Sequence, residues 1–149
     1  MKDLDSAIQH DKTGGEAWRN RGLVWLERDE FAKALADCNQ AIRLDSEDGK
    51  AYACRGRVYL AKGELNRVLA DADKAVGLGP EDVETHCTRG RVYAAKKQWG
   101  KAITDYNEAI RLDPVYTEAY EYRASAYKAS GHGDEAKADA AKAKQLRSK

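Results

Sequence analysis

The stretch AWRNRGLVWLERDEFAKALADCNQAIRLD, Ala17–Asp45, sets a pattern that the remainder of the chain restates. Segments 52–78, 86–113 and 120–146 follow it, each displaced by 34 residues. Gly22, Gly56 and Gly90 recur in this register, with Ala124 in the fourth place. Trp25, Tyr59, Tyr93 and Tyr127 form a second series, and Ala41, Ala75, Ala109 and Ala143 a third. Arg21, Arg55, Arg89 and Arg123 form a fourth; Asp3, Asp37, Asp71, Asp105 and Asp139 form a fifth. Five series in one register leave little room for chance, and the chain reads as a repeat protein.

Within the quoted stretch Phe31, Ala34, Leu35, Cys38, Ala41 and Ile42 fall at three- and four-residue spacing, the period of an amphipathic helix. The repeat then predicts helix pairs at about 16–28 and 31–44, 50–62 and 65–78, 83–96 and 99–112, and 117–130 and 133–147. Short loops force consecutive helices to be antiparallel neighbours. Turns are expected at ThrGlyGly 13–15, SerGluAspGly 46–49, GlyPro 79–80 and AspPro 113–114. Residues 3–10, DLDSAIQH, match a second helix whose first helix is missing.

The length suits one domain. Formal net charge is +1, with 26 basic and 25 acidic residues, a balance that gives no field to hold nucleic acid or an anionic membrane. No apolar run approaches the ~20 residues that span a bilayer. MetLysAspLeuAsp at the start is neither signal nor transit peptide. The three cysteines cannot all pair and lie inside predicted helices, which reads as a reducing, cytoplasmic setting. There is no CxxC, HxxxH, phosphate loop or nucleophile elbow, so no metal, cofactor or catalytic residue is expected.

A 34-residue period carrying an aromatic, then Gly, Tyr and Ala, with Pro80 and Pro114 near repeat ends, resembles the tetratricopeptide repeat. Ser46 stands where the first repeat should carry that Pro. The resemblance covers about 135 of the 149 residues. It implies an all-α fold, an α-solenoid of stacked antiparallel helix pairs winding as a right-handed superhelix. The expected divisions are a partial repeat at 1–14 and repeats at 15–48, 49–82, 83–116 and 117–149.

The resemblance also implies that first helices line a concave groove. Carried over to this sequence, the groove residues are Arg19, Asn20, Leu23, Lys50, Cys54, Arg57, Glu84, Cys87, Arg91 and Tyr122. The implied function is a scaffold that binds a peptide or partner protein; the alternative is a structural or self-association module of a larger protein. A subclass of the family grips chaperone-tail carboxylates, but the matching residues here are Arg19, Leu23, Cys54, Glu84 and Thr88, of which only Arg19 keeps its charge. A helical-repeat RNA reader would carry a 35-residue period and a basic surface, which this chain lacks.

Where the family pattern has Leu, every repeat here has Arg, joined by an Asp in the second helix. The expectation is a structural ladder of Arg21, Arg55, Arg89 and Arg123 with Asp37, Asp71, Asp105 and Asp139, because an Arg fork matches a carboxylate. Sequence leaves open whether each Arg meets the Asp of its own or the preceding repeat. A mid-helix Gly costs about 1 kcal/mol against Ala, so Gly22, Gly56 and Gly90 are read as close backbone approaches, and Gly56→Leu as overpacking. His86, replacing an aromatic, reads as a half-buried packing residue. In the last repeat Lys137 and Lys144 stand where inner repeats have Leu35 and Ile42, or Ile103 and Ile110, as in a terminal cap. Leu4 and Ile8 keep the apolar pattern, so the chain is expected to be the C-terminal part of a longer array with a sticky N-terminal edge capable of weak self-association.

Overall fold

The computed structural model describes residues 1–10, 14–79 and 82–148. Thr13 and Pro80, at two of the expected breaks, lie outside the described residues. Among the described residues the regular structure is nine helices. They are α1 (Lys2–His10), α2 (Gly15–Glu27), α3 (Phe31–Leu44), α4 (Gly49–Ala61), α5 (Leu65–Leu78), α6 (Val83–Ala95), α7 (Trp99–Leu112), α8 (Thr117–Ala129) and α9 (Gly133–Arg147). The expected helices are all present. Each first helix ends one residue before its expected end, and α2 and α4 also begin one residue early. Contacts divide the chain into two compact units, Met1–Pro80 and Glu81–Lys149. In the first, α1 packs on α2, α2 pairs with α3, α3 meets α4, and α4 pairs with α5. In the second, α6 pairs with α7, α7 meets α8, and α8 pairs with α9.

The turn inside each pair is the same device four times. Asp29, Gly63, Lys97 and Gly131, again 34 apart, hold φ of 58°, 74°, 58° and 87°. The next amide then donates back to the first helix: Glu30 N to Trp25 O, Glu64 N to Tyr59 O, Gln98 N to Tyr93 O and His132 N to Tyr127 O, all at 2.9 Å. This is the Schellman arrangement, which satisfies carbonyls left over at a helix end. At the start of α4, Asp48 accepts from Lys50 N, and at the start of α6 Asp82 accepts from Thr85 N.

Each unit has its own core. Ala34, Cys38, Cys54 and Val58 form one, flanked by Leu23, Trp25, Leu26, Phe31 and Leu35. Cys87, Ala102, Tyr106, Ala109, Ala119 and Ala126 form the other. Small side chains at these contacts let helix axes come close, so packing contact rather than a bulky hydrophobic layer supplies the cohesion. Ile8 is buried and Leu4 half-buried. These two side chains lie on a helix that packs against α2. At the other end Lys137 and Lys144 are exposed, where Ile103 and Ile110 of α7 pack against the core.

The repeat glycines prove to have three different surroundings. A Cβ on Gly90 would lie 2.5 Å from Cε1 and 2.9 Å from Cδ1 of Tyr106, whose ring is buried and fixed. A Cβ on Gly22 would meet Cys38 Sγ at 3.0 Å and Cys54 Sγ at 3.3 Å. A Cβ on Gly56 meets only Asp71 Cβ at 3.5 Å and Val68 O at 3.9 Å, ordinary contact. The close approach is therefore set by the residue sixteen further on in the second helix (Cys38, Ala72 or Tyr106), and not by a common backbone contact. Where that residue is Ala140, the fourth repeat carries Ala124.

The arginines and aspartates meet in the same way in every pair. Arg21 donates through Nε and Nη2 to both oxygens of Asp37, at 2.7 and 2.8 Å. Arg55 does so to Asp71 at 2.8 and 2.7 Å, Arg89 to Asp105 at 2.9 and 2.7 Å, and Arg123 to Asp139 at 2.7 Å for both. Each fork thus joins the two helices of its own repeat. The remaining nitrogen, Nη1, reaches back to the preceding second helix from Arg21 to Asp5 at 2.8 Å, from Arg55 to Asn39 at 2.8 Å and from Arg123 to Asn107 at 2.6 Å. Aromatic rings lie against the same guanidinium groups, Trp18 at 4.9 Å from Arg21, and Tyr52 and Tyr120 at 5.6 Å from Arg55 and Arg123. In the third repeat His86 takes the ring's place and is buried rather than half-buried, with Nδ1 3.4 Å from Asp105 Oδ1. Burial alone would raise the Asp105 carboxyl, but the hydrogen bonds from His86 and Arg89 outweigh it and hold it below the usual range.

These contacts make the repeats respond differently to substitution. Gly90→Ala should destabilise by about 1–3 kcal/mol through the clash with Tyr106, whereas Gly56→Ala should stabilise by up to about 1 kcal/mol through helix propensity. Calorimetric midpoints moving the same way for both variants would contradict the packing argument. Asp105→Asn should cost about 3 kcal/mol or more at neutral pH by stranding a partly buried guanidinium. A carboxyl whose folded pKa is depressed stabilises the fold above its unfolded value of about 4, and loses that contribution as pH falls toward the folded value. The stability gap between the native chain and Asp105→Asn should therefore shrink below about pH 4, which denaturant titrations from about pH 7 to about pH 3 would measure.

Candidate partner-binding faces

First helices supply the candidate faces, α2 with α4 in one unit and α6 with α8 in the other. A first helix offers one side to its own second helix and another to the next repeat, which leaves a third side open. On α2, Asn20, Leu23 and Leu26 are half-buried and Glu16 and Glu27 exposed. On α4, Lys50 is exposed, while Ala53, Arg57 and Leu60 are half-buried. On the α2/α4 face Leu23 and Leu26 thus pack partly on the core, with Leu60 half-buried and Glu16, Glu27 and Lys50 exposed.

Three of the groove residues expected from sequence are otherwise engaged. Arg19 donates through Nη1 to Asp48 Oδ2 at 2.6 Å, with the two side chains 14% and 16% exposed. Asp48 also caps α4, so its carboxylate ties the first repeat to the start of the second. Cys54 is buried and bonded to Cys38 of α3, with their Cα atoms 6.1 Å apart. This corrects the reading of three reduced cysteines and removes the argument for a reducing compartment that rested on it. Cys87 is the free thiol and it is buried too. Burial first, with Glu118, Asp105 and Glu84 adding, pushes its thiol up to about 12 against the opposing pull of Arg91, so it stays protonated.

Arg91, Tyr122 and Glu84 give the α6/α8 face its character. Arg91 and Glu84 are exposed, and the Arg91 guanidinium lies 5.2 Å from the centre of the half-buried Tyr122 ring. Tyr122 in turn rests on buried Tyr106, ring centres 5.9 Å apart. The ring gives the exposed guanidinium a cation–π contact that favours this position. Glu118, Ser125 and Lys128 continue this face, and Glu121 is held by Arg147 of α9 at 2.7 Å.

The signals for the engaged cysteine were present in the spacing. Cys38 and Cys54 are sixteen apart, the same separation that joins Arg21 to Asp37 and Asn39 to Arg55. That separation places residues opposite each other across a helix–turn–helix junction. The Arg19–Asp48 tie has no such mark, since Asp48 recurs as Asp82 but Arg19 gives way to Ala53, Cys87 and Glu121 in the later repeats. Among the described residues no cluster of His, Cys, Asp and Glu could hold a metal ion, and no helix is long and apolar enough to cross a membrane.

Comparisons with known proteins agree with this architecture. The family profile described as "Tetratricopeptide repeat" matches residues 15–48, and that described as "TPR repeat" matches 90–131. No curated protein matches by sequence. Among solved structures, a crystal structure of MamA is 21% identical with a TM-score of 0.82, covering 97% of this chain and 85% of its own. TTC0263, a thermophilic TPR protein in Thermus thermophilus, is 24% identical with a TM-score of 0.82, covering 98% and 80%. The Arabidopsis OM64 TPR domain is 20% identical with a TM-score of 0.73, covering 77% and 95%. At such identities these likenesses speak for the fold. With the 34-residue register, the helix pairs and the two profile matches, the chain belongs to the tetratricopeptide repeat family, whose domains generally serve protein interaction.

Proposed function

We propose that this chain is a non-enzymatic scaffold that binds a segment of a partner protein on its first-helix faces. The observation that carries this reading is Arg91, exposed yet held in place on the ring of Tyr122. A cation positioned before binding loses little side-chain entropy on meeting a carboxylate, which favours recognition. The partner segment that suits the α6/α8 face carries an acidic residue opposite Arg91. Leu23, Leu26 and Leu60 suit an apolar side chain on the α2/α4 face. Arg19 contributes no charge to that face, since Asp48 neutralises it.

Capture from a cell extract on the immobilised chain tests the reading. Arg91→Glu and Tyr122→Ala should each lower recovery of the same partner by about tenfold, the scale of one well-placed charged contact. Lys142→Glu, at an exposed position of α9, should leave it unchanged. Equal recovery by Arg91→Glu and the native chain would reject the α6/α8 face as the binding surface.

A further inference from the structure

The junction between one helix pair and the next is closed differently in the two units. In the second unit it holds the ring contact of Tyr106 on α7 with Tyr122 on α8. The matching places in the first unit, 68 residues earlier, are Cys38 on α3 and Cys54 on α4, and they are covalently joined. One junction is insensitive to redox conditions and the other is not. We propose that the Cys38–Cys54 pair is a thiol–disulfide lock on the α2/α4 face, firm when oxidised and loosened when reduced, exchanging with a small thiol such as glutathione. The lock's effect on partner binding rests on the reading of that face given above.

The bond lies where α2 and α4, the helices that build the face, meet α3. Cys38 is 0% exposed and Cys54 2%, and both sulfurs lie against Gly22 of α2. A Cβ at Gly22 would stand 3.0 and 3.3 Å from them, so the α2 side is already filled. Two thiols cannot remain at bonding distance and must separate toward van der Waals contact. With no slack beside α2, the displacement falls on the junction of α3 with α4. The other ties at this junction, Arg19 to Asp48 and Arg55 to Asn39, keep α4 attached while its position relaxes.

The exchange balances without any further reagent. Oxidised glutathione gives up its S–S bond, one S–S bond forms between Cys38 and Cys54, and the two thiol protons end on two reduced glutathiones. Cys87 does not compete, being buried in the other unit and protonated. Because both sulfurs are covered, exchange proceeds through local opening of α4, so the state once set is retained.

The test equilibrates the whole chain with oxidised or reduced glutathione and reads three quantities that need no partner. Peptide mapping of the oxidised chain should show Cys38 linked to Cys54 and Cys87 free. The thermal midpoint should be higher in the oxidised chain by roughly 5 °C, and amide hydrogen exchange in α4 slower by about tenfold. The double variant C38A/C54A, or C54A alone should the double fail to fold, should lose both responses. Absence of the linked peptide after oxidation would overturn the proposal, and so would a linked chain whose α4 exchange matches the reduced one. Loss of partner capture with these responses intact would count against the binding reading alone.

Discussion

The guanidinium of each repeat arginine is the contact on which the remaining packing depends. Its fork closes on the aspartate of its own second helix, and from Arg21, Arg55 and Arg123 the third nitrogen reaches the second helix before it. A planar group with five donors fixes direction as well as distance, so one side chain sets both the pairing within a repeat and the stacking on the one before. The net stabilisation from such a pair is small, because both partners lose water on burial. Its value lies in register. Helices faced largely with alanine could slide past one another at little cost, and a directional bond at each step removes that freedom.

Once register is set, the side chain at the next contact decides how tightly each pair closes. Tyr106 demands Gly90, the bonded cysteines lie tight against Gly22, and Ala72 leaves Gly56 with room. One glycine series therefore answers to three local partners, and packing tolerance differs from repeat to repeat although the backbone pattern does not. The same contact governs the open faces. Tyr106 supports Tyr122, on which Arg91 rests, so the charge offered by the α6/α8 face is positioned from the core outward.

The 34-residue register determined the family and the helix pairs, because hydrophobic period and helix-end chemistry are local properties read directly from residue order. It also named the Arg and Asp that meet, since complementary charges recur in register on the two helices of every repeat. Tertiary structure decided what local order does not encode. Arg21, Arg55 and Arg123 each serve two repeats, because five donors exceed what one carboxylate accepts. Arg19 is spent on Asp48 and Cys54 on Cys38, because stacking of one helix pair on the next brings these side chains together. Ile8 is covered, since α2 lies over it. A face inferred by analogy lists the side chains that point outward in the family. Only the packed chain shows which of them its neighbours have already taken.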